Sequence, residues 1–330
     1  MKYTKLGNTG VDVSKICLGC MSFGKPGSEN GVFPWAKDFN DAKPIFKKAI
    51  DLGINYFDTA NVYQLGTSEE VTGKLIREFG LNRDEIVVAT KVHFEMRAGR
   101  PNGAGSSRKN IMAEIDHSLK RLGLDYVDLY QIHRLDHETP MEEIMEALHD
   151  VVKSGKARYI GACTMFAWEF ERLNNIAEKH NWTKFVSMQN HYNLLYREDE
   201  REMIPICRQG NVALTPYSPL AAGRLSRPQW LSDSKRSATD KVANSKYDST
   251  QEQDMKIVER VCEIAEKYNA SMSQIAVAWL WAKGVTSPII GATKPQYFDD
   301  IANAVNITLT DEDIDYLEEM YMPHKIVGAL

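Results

Sequence analysis

Short apolar, β-rich runs return along the chain at Lys15–Leu18, Ile54–Asp58, Ile86–Lys91, Val127–His133, Tyr159–Cys163, Val186–Gln189, Val212–Tyr217 and Pro288–Ala292. Continuous apolar runs of this kind suit strands buried on both faces, as in a parallel sheet. Amphipathic helical stretches separate most of them. "DAKPIFKKAIDLG" ends in the stop signal Gly53, and "TSEEVTGKLIREFG" opens with Ser68 as its expected cap and closes at Gly80. "SSRKNIMAEIDHSLKRLG", "PMEEIMEALHDVVKSG" and "SMSQIAVAWLWAKG" follow the same rule. Eight strands alternating with helices, with no linker or break in composition, predict a single (β/α)8 TIM barrel over residues 1–330. An open doubly wound sheet is the competing architecture. It wants Gly-x-Gly-x-x-Gly after its first strand, and "CLGCMSFGKPG" lacks that spacing.

Other segments stand outside the alternation. "KYTKLGNTGVDVSKI" reads as an N-terminal β-hairpin turning around Asn8–Gly10. Glu95–Ser107 is a Gly-rich irregular loop after the third strand. Gly223–Thr250 is a long polar loop after the seventh, followed by an extra helix near Gln251–Tyr268. Long loops on a compact barrel are usually lids or binding loops.

Composition narrows the class of function. With 40 basic and 45 acidic groups the net charge is −5, which offers nucleic acid no basic footprint. Met1–Gly10 lacks the apolar stretch of a signal peptide, and Ile275–Ala282, the longest apolar run, is too short to span a bilayer. Five scattered cysteines fit a reducing, cytoplasmic setting. Cys17 and Cys20 form a C-x-x-C, but within a strand-like run and not at a helix start, which argues for packing over redox chemistry.

In a barrel the chemistry gathers where strands end at the C-terminal rim. Reading off those ends gives Asp58, Lys91, His133, Gln189 and Tyr217, with Tyr63 just past the second strand. Any one of them could be a polar group satisfied at the edge of the core; a ring of five is harder to dismiss. A tyrosine gives up its proton reluctantly, its ordinary pKa being about 10. A neighbouring ammonium favours the phenolate, and a carboxylate keeps that ammonium charged and oriented. A histidine alongside can donate to a substrate oxygen. Asp58, Tyr63, Lys91 and His133 therefore suit protonation of an oxygen on which charge develops, as in reduction of a carbonyl by hydride.

Seven ordered segments carry a resemblance: "FDTANVYQLGTSEEVTGKLI", "VVATKV", "YVDLYQIHR", "GKARYIGACTM", "VSMQNHYNL", "TPYSPLAAGRL" and "PIIGATKPQ". Together they resemble the aldo-keto reductase superfamily, in the branch of single-domain bacterial and fungal reductases related to potassium-channel β subunits. The resemblance implies a catalytic tetrad of Asp58, Tyr63, Lys91 and His133, with Tyr63 as general acid. It implies NADPH/NADP+ bound in an extended pose without a Rossmann fold. Tyr217 would stack on the nicotinamide, and Gln189, Cys163 and Thr164 would hold its carboxamide. Ser218, Leu220, Gly223 and Leu225 would line the pyrophosphate. The adenosine end would fall to Gly291, Thr293, Lys294, Tyr297 and Asp300, with Thr293 and Lys294 at the 2′-phosphate, where a hydroxyl and an ammonium suit a dianion.

The implied substrate is a small carbonyl compound, with no nucleic-acid or membrane partner; oligomeric state is not legible. Phe23, Trp35 and the loops Phe94–Arg108 and Arg224–Tyr247 are expected to shape the pocket, and Arg97, Arg100, Arg108 and His137 to favour an anionic or sugar-phosphate substrate. A regulatory subunit that binds cofactor and turns over slowly is the alternative, and a barrel lyase or isomerase a third. The four-residue spacing of His133 and His137 resembles some zinc sites, but no third ligand accompanies it, so no metal is expected. "GTSEEVTGK" lacks the spacing of a phosphate-binding loop and reads as a capped helix.

Overall fold

The computed structural model describes residues 1–27, 32–233 and 235–327. Strands β1 (Tyr3–Lys5) and β2 (Asp12–Ser14) pair antiparallel as the expected hairpin. Eight further strands follow: β3 (Cys17–Gly19), β4 (Tyr56–Asp58), β5 (Val87–Val92), β6 (Val127–Ile132), β7 (Ala157–Cys163), β8 (Phe185–Gln189), β9 (Ala213–Leu214) and β10 (Ile289–Ile290). They form one parallel sheet in the order β10-β3-β4-β5-β6-β7-β8-β9. Its ends meet, because Thr286 N–H donates to the Leu214 carbonyl and Ile289 N–H to that of Pro216, both at 2.9 Å. The result is a (β/α)8 barrel.

Helices α1 (Phe39–Asp51), α2 (Thr67–Glu78), α3 (Arg108–Leu122), α4 (Met141–Lys153), α5 (Ala167–Lys179) and α6 (Met203–Gln209) alternate with the strands. After β9 come α7 (Lys235–Thr239), α8 (Lys241–Tyr247), α9 (Gln251–Lys267) and α10 (Met272–Ala282), and after β10 come α11 (Gln296–Asn303) and α12 (Asp311–Glu318). No helix among the described residues is long and apolar enough to cross a membrane.

The two-residue period of the strands sorts their side chains. Leu18, Phe57, Val88, Tyr130, Ile160, Met188 and Ile290 face the helices and join the main core. Cys17, Tyr56, Ala89, Leu129, Ala213 and Ile289 fill the barrel from inside, plugged below by Leu6 and Val13 of the hairpin. One step further along the same inward rows stand Asp58, Lys91, Gln131 and then His133. The row turns from apolar to polar at the C-terminal rim, and that turn positions the site.

Several expectations are corrected. Ser68 does not cap α2: it lies inside the helix, donating to the Cys20 carbonyl at 2.7 Å and bonding Thr59 Oγ1 at 2.9 Å. The run Val212–Tyr217 contributes only Ala213–Leu214 as strand, since Pro216 has no N–H for the ladder; Tyr217 rejoins as an isolated bridge to His191. The polar segment 223–250, of which Ser234 lies outside the described residues, contains α7 and α8, the latter capped by Asp240 accepting from Ala243 N–H at 3.0 Å. Cys17 and Cys20 are buried free thiols, and burial pushes Cys20 up to about 12, which suits packing.

Candidate active site

Lys91 comes up the inside of β5 and is fully buried. Its ammonium has three protons and three acceptors: Asp58 Oδ1 at 2.5 Å, the Thr59 carbonyl at 2.8 Å and Tyr63 Oη at 3.3 Å. The other Asp58 oxygen accepts from Gln131 Nε2 and from Gln189 Nε2, each at 2.9 Å. Gln189 Nε2 also lies 3.3 Å from Gln131 Oε1, toward which the Cys163 thiol points at 3.8 Å. A buried carboxylate and a buried ammonium are thus paired, and their remaining bonding capacity is met by amides, which such a pair requires.

Gly161 makes room for this network. A Cβ there would meet Ser187 Oγ at 2.4 Å and Gln131 Cγ at 3.1 Å. Gln131 was not singled out from the sequence, although it stands two residues before His133 and therefore on the same inward face of β6.

Burial pulls the Lys91 ammonium down, but Asp58, Tyr63 and Cys163 together outweigh it and hold the ammonium above the ordinary lysine value. Burial pushes the Tyr63 phenol up to about 12, with Lys91 opposing. The expected lowering by the ammonium is present but loses to burial, so the phenol keeps its proton at neutral pH. Burial, reinforced by Lys91, Arg134 and His93, holds His133 well below the ordinary histidine value, so its imidazole is neutral. Its ring meets Tyr63 edge-on at 5.6 Å and Phe94 at 4.8 Å, and Nδ1 is buried without a partner.

Beside this centre lies a set of aromatic, strained and cationic groups. The Tyr217 ring stacks on His191 at 5.2 Å and 9°, Thr164 Oγ1 lies 3.5 Å from its hydroxyl, and Lys246 Nζ lies 4.5 Å from its ring centroid. Ser218, Ala221, Ala222 and Gly223 all have positive φ, a concentration of strain of the kind found at ligand clamps. Four residues past Gly223, Arg227 is partly buried; its Nε has no partner and it makes no ion pair with any described residue. Burial, then Arg224, lowers its pKa, and Tyr297 raises it. A guanidinium whose one bond to a described residue runs from Nη1 to Ser226 Oγ, at 3.5 Å, and which stands beside positive-φ backbone, suits a phosphate, so these residues fit the pyrophosphate of a dinucleotide. Arg227 was missed in the sequence, where an arginine in a polar loop carries no distinguishing pattern.

The remaining expected residues divide. Gly291 and Lys294 are exposed, Thr293 is partly buried and Tyr297 is 46% exposed, all available at the mouth. Leu220 is partly buried, whereas Leu225 is fully buried in the core. Asp300 accepts from the Ser271 hydroxyl at 2.6 Å, in the cap of α10. Phe23 is fully buried and belongs to the core, not to a pocket wall. His137 bonds Glu169 at 2.8 Å, away from His133, and no described cluster of His, Cys, Asp or Glu is arranged to hold a metal ion.

This barrel with this rim belongs to a known class of oxidoreductase: the chain is a member of the aldo/keto reductase family, whose profile matches residues 15–322. It is similar to the versiconal hemiacetal acetate reductase of Aspergillus parasiticus, at 43% identity across 99% of this chain and 98% of that protein. It is also similar to a putative aryl-alcohol dehydrogenase of Schizosaccharomyces pombe, 45% identical over 99% and 98% of the two chains. An aldo-keto reductase of Fusarium vanettenii is 42% identical over 99% of this chain and 92% of its own.

Proposed function

We propose that the protein reduces aldehydes or ketones to alcohols with NADPH, Tyr63 supplying the proton. The observation that carries this reading is the Lys91 ammonium, fully buried, with Asp58, the Thr59 carbonyl and the Tyr63 hydroxyl as its three acceptors. NADPH, when bound, would supply the hydride for the carbonyl carbon. Tyr63, protonated at neutral pH, transfers its proton to the carbonyl oxygen as charge builds there. The Lys91 cation stabilises the phenolate left behind, and Asp58 keeps Lys91 charged and in place. Solvent then returns a proton to Tyr63. His133, held neutral, offers an N–H to the same oxygen and orients it. Tyr217, Gln189 and Thr164 would hold the nicotinamide end, Arg227 and the Ser218–Gly223 backbone the pyrophosphate, and Thr293 and Lys294 the 2′-phosphate.

The test is Tyr63→Phe. Turnover of simple aldehydes with NADPH should fall by about 10²–10⁴-fold, the usual contribution of a general acid, while NADPH binding followed by protein fluorescence stays nearly unchanged. A variant that keeps more than about a tenth of the wild-type rate, well above that general-acid expectation, would mean that Tyr63 only packs against the rim.

A further inference from the structure

Most cations expected near the mouth are already neutralised. Arg97 pairs with Glu114 at 3.2 Å and Arg108 with Asp150, while the His137 ring bonds Glu169. Arg134 is different. It follows His133 directly, is partly buried, and forms no ion pair with any described residue. Among the described residues its one bond is from Nη1 to the His133 carbonyl, at 2.6 Å, which leaves four of a guanidinium's five N–H donors without an acceptor there. Its charge acts on His133, Cys163 and His191, three residues at the barrel mouth.

The surroundings say what this cation faces. The Tyr63, His133 and Phe94 rings meet edge to face in succession, at 5.6 and 4.8 Å, and the Arg134 guanidinium lies 5.9 Å from the Phe94 ring centroid. One continuous aromatic wall therefore runs from the proposed proton donor to an unneutralised cation. A half-buried guanidinium without a counter-charge is costly unless something supplies one. We infer that Arg134 selects carbonyl substrates that carry a carboxylate, holding that group while the apolar body lies along Phe94 and the carbonyl faces Tyr63 and His133. This rests on the reductase reading above.

The experiment compares 4-carboxybenzaldehyde with its neutral methyl ester, methyl 4-formylbenzoate, under NADPH. Wild type should favour the acid in kcat/KM, and the KM for the acid alone should rise with ionic strength. Arg134→Gln can still donate to the His133 carbonyl but carries no charge; it should lower the acid-to-ester ratio by roughly ten- to hundredfold, the worth of one charge-assisted contact. Arg134→Lys should retain part of the preference. A wild-type preference for the ester, or an unchanged ratio in Arg134→Gln, would overturn the assignment. So would a rise in the NADPH dissociation constant with the ratio constant, since the cation would then belong to the cofactor. Turnover of neither aldehyde would overturn the reductase reading itself, an outcome distinct from a flat ratio.

Discussion

Under the proposed function, Arg227 and Lys294 would meet the two phosphate positions of the cofactor in different ways. Arg227 follows the positive-φ stretch and has its Nε buried without a partner; Lys294 is exposed just past β10. Losing one charge-assisted contact costs about 1.5–3 kcal/mol, roughly ten- to hundredfold in affinity. Arg227→Gln should therefore raise the dissociation constants of NADPH and NADH alike, because both carry the pyrophosphate. Lys294→Ala should raise that of NADPH and leave NADH nearly unchanged, because only NADPH has a 2′-phosphate. Titration of protein fluorescence with both cofactors separates the two. Equal weakening by Lys294→Ala would place the 2′-phosphate elsewhere. At this scale the clustering of Asp58, Tyr63, Lys91 and His133 was legible, because each closes an apolar run or follows one closely. Gln131 was legible in principle from its two-residue spacing to His133. Arg227 was not, since its isolation depends on which acids are absent around it in three dimensions.

Among the elements, the segment after β9 is held down by buried aromatic and arginine contacts. Arg224, 3% exposed, lies between the Trp230 and Tyr247 rings, 5.1 Å from each centroid, and donates to Asp248 at 2.6 Å and Asn244 at 3.2 Å. Tyr247 at the end of α8 bonds His191 at 2.7 Å and Asn193 at 3.0 Å, while Arg236 of α7 covers Trp35 at 4.5 Å. The strap is thus fastened to both sides of the mouth, beside Tyr217. Straps of this kind often make cofactor release the slow step. Arg224→Ala should weaken the fastening by roughly 1–3 kcal/mol, speed NADP⁺ release in stopped flow, and speed proteolysis within 223–250. NADPH should still slow that cleavage. Release at the wild-type rate would mean that the strap does not gate the cofactor. The strands were visible in the sequence because apolar runs announce burial. The strap helices were not, because α7 and α8 are short and polar, and α8 is held by partners on the loop after β8 some fifty residues away.

The whole chain closes on itself at the same mouth. After α12 the tail returns to the barrel: Tyr321 donates to Glu198 at 2.7 Å, Val327 N–H to the Tyr196 hydroxyl at 3.1 Å, and His324 lies 3.0 Å from Asp254 on α9. His324, Tyr196, His191 and Tyr217 form a ladder of near-parallel rings running from the tail to the rim residue Tyr217. Asp254 is 1% exposed, and burial pushes it up to about 7 against the lowering bonds of Thr250 and Gln253. Burial also lowers His324, so it offers Asp254 no full positive charge at neutral pH. The sign follows from proton counts: between the ordinary aspartate value near 4 and about 7 the folded chain holds a proton that the unfolded chain has lost. Asp254 therefore makes stability fall as pH rises through that window, and above it the penalty is complete. Asn keeps the shape and the Thr250 acceptor but cannot ionise. Asp254→Asn should raise stability to urea at pH 8 by roughly 1–3 kcal/mol and leave it nearly unchanged at pH 4. Loss of stability at pH 8 would show instead that Asp254 is ionised and paired with a charged His324, so that the tail is held by an ion pair and not by a protonated carboxyl.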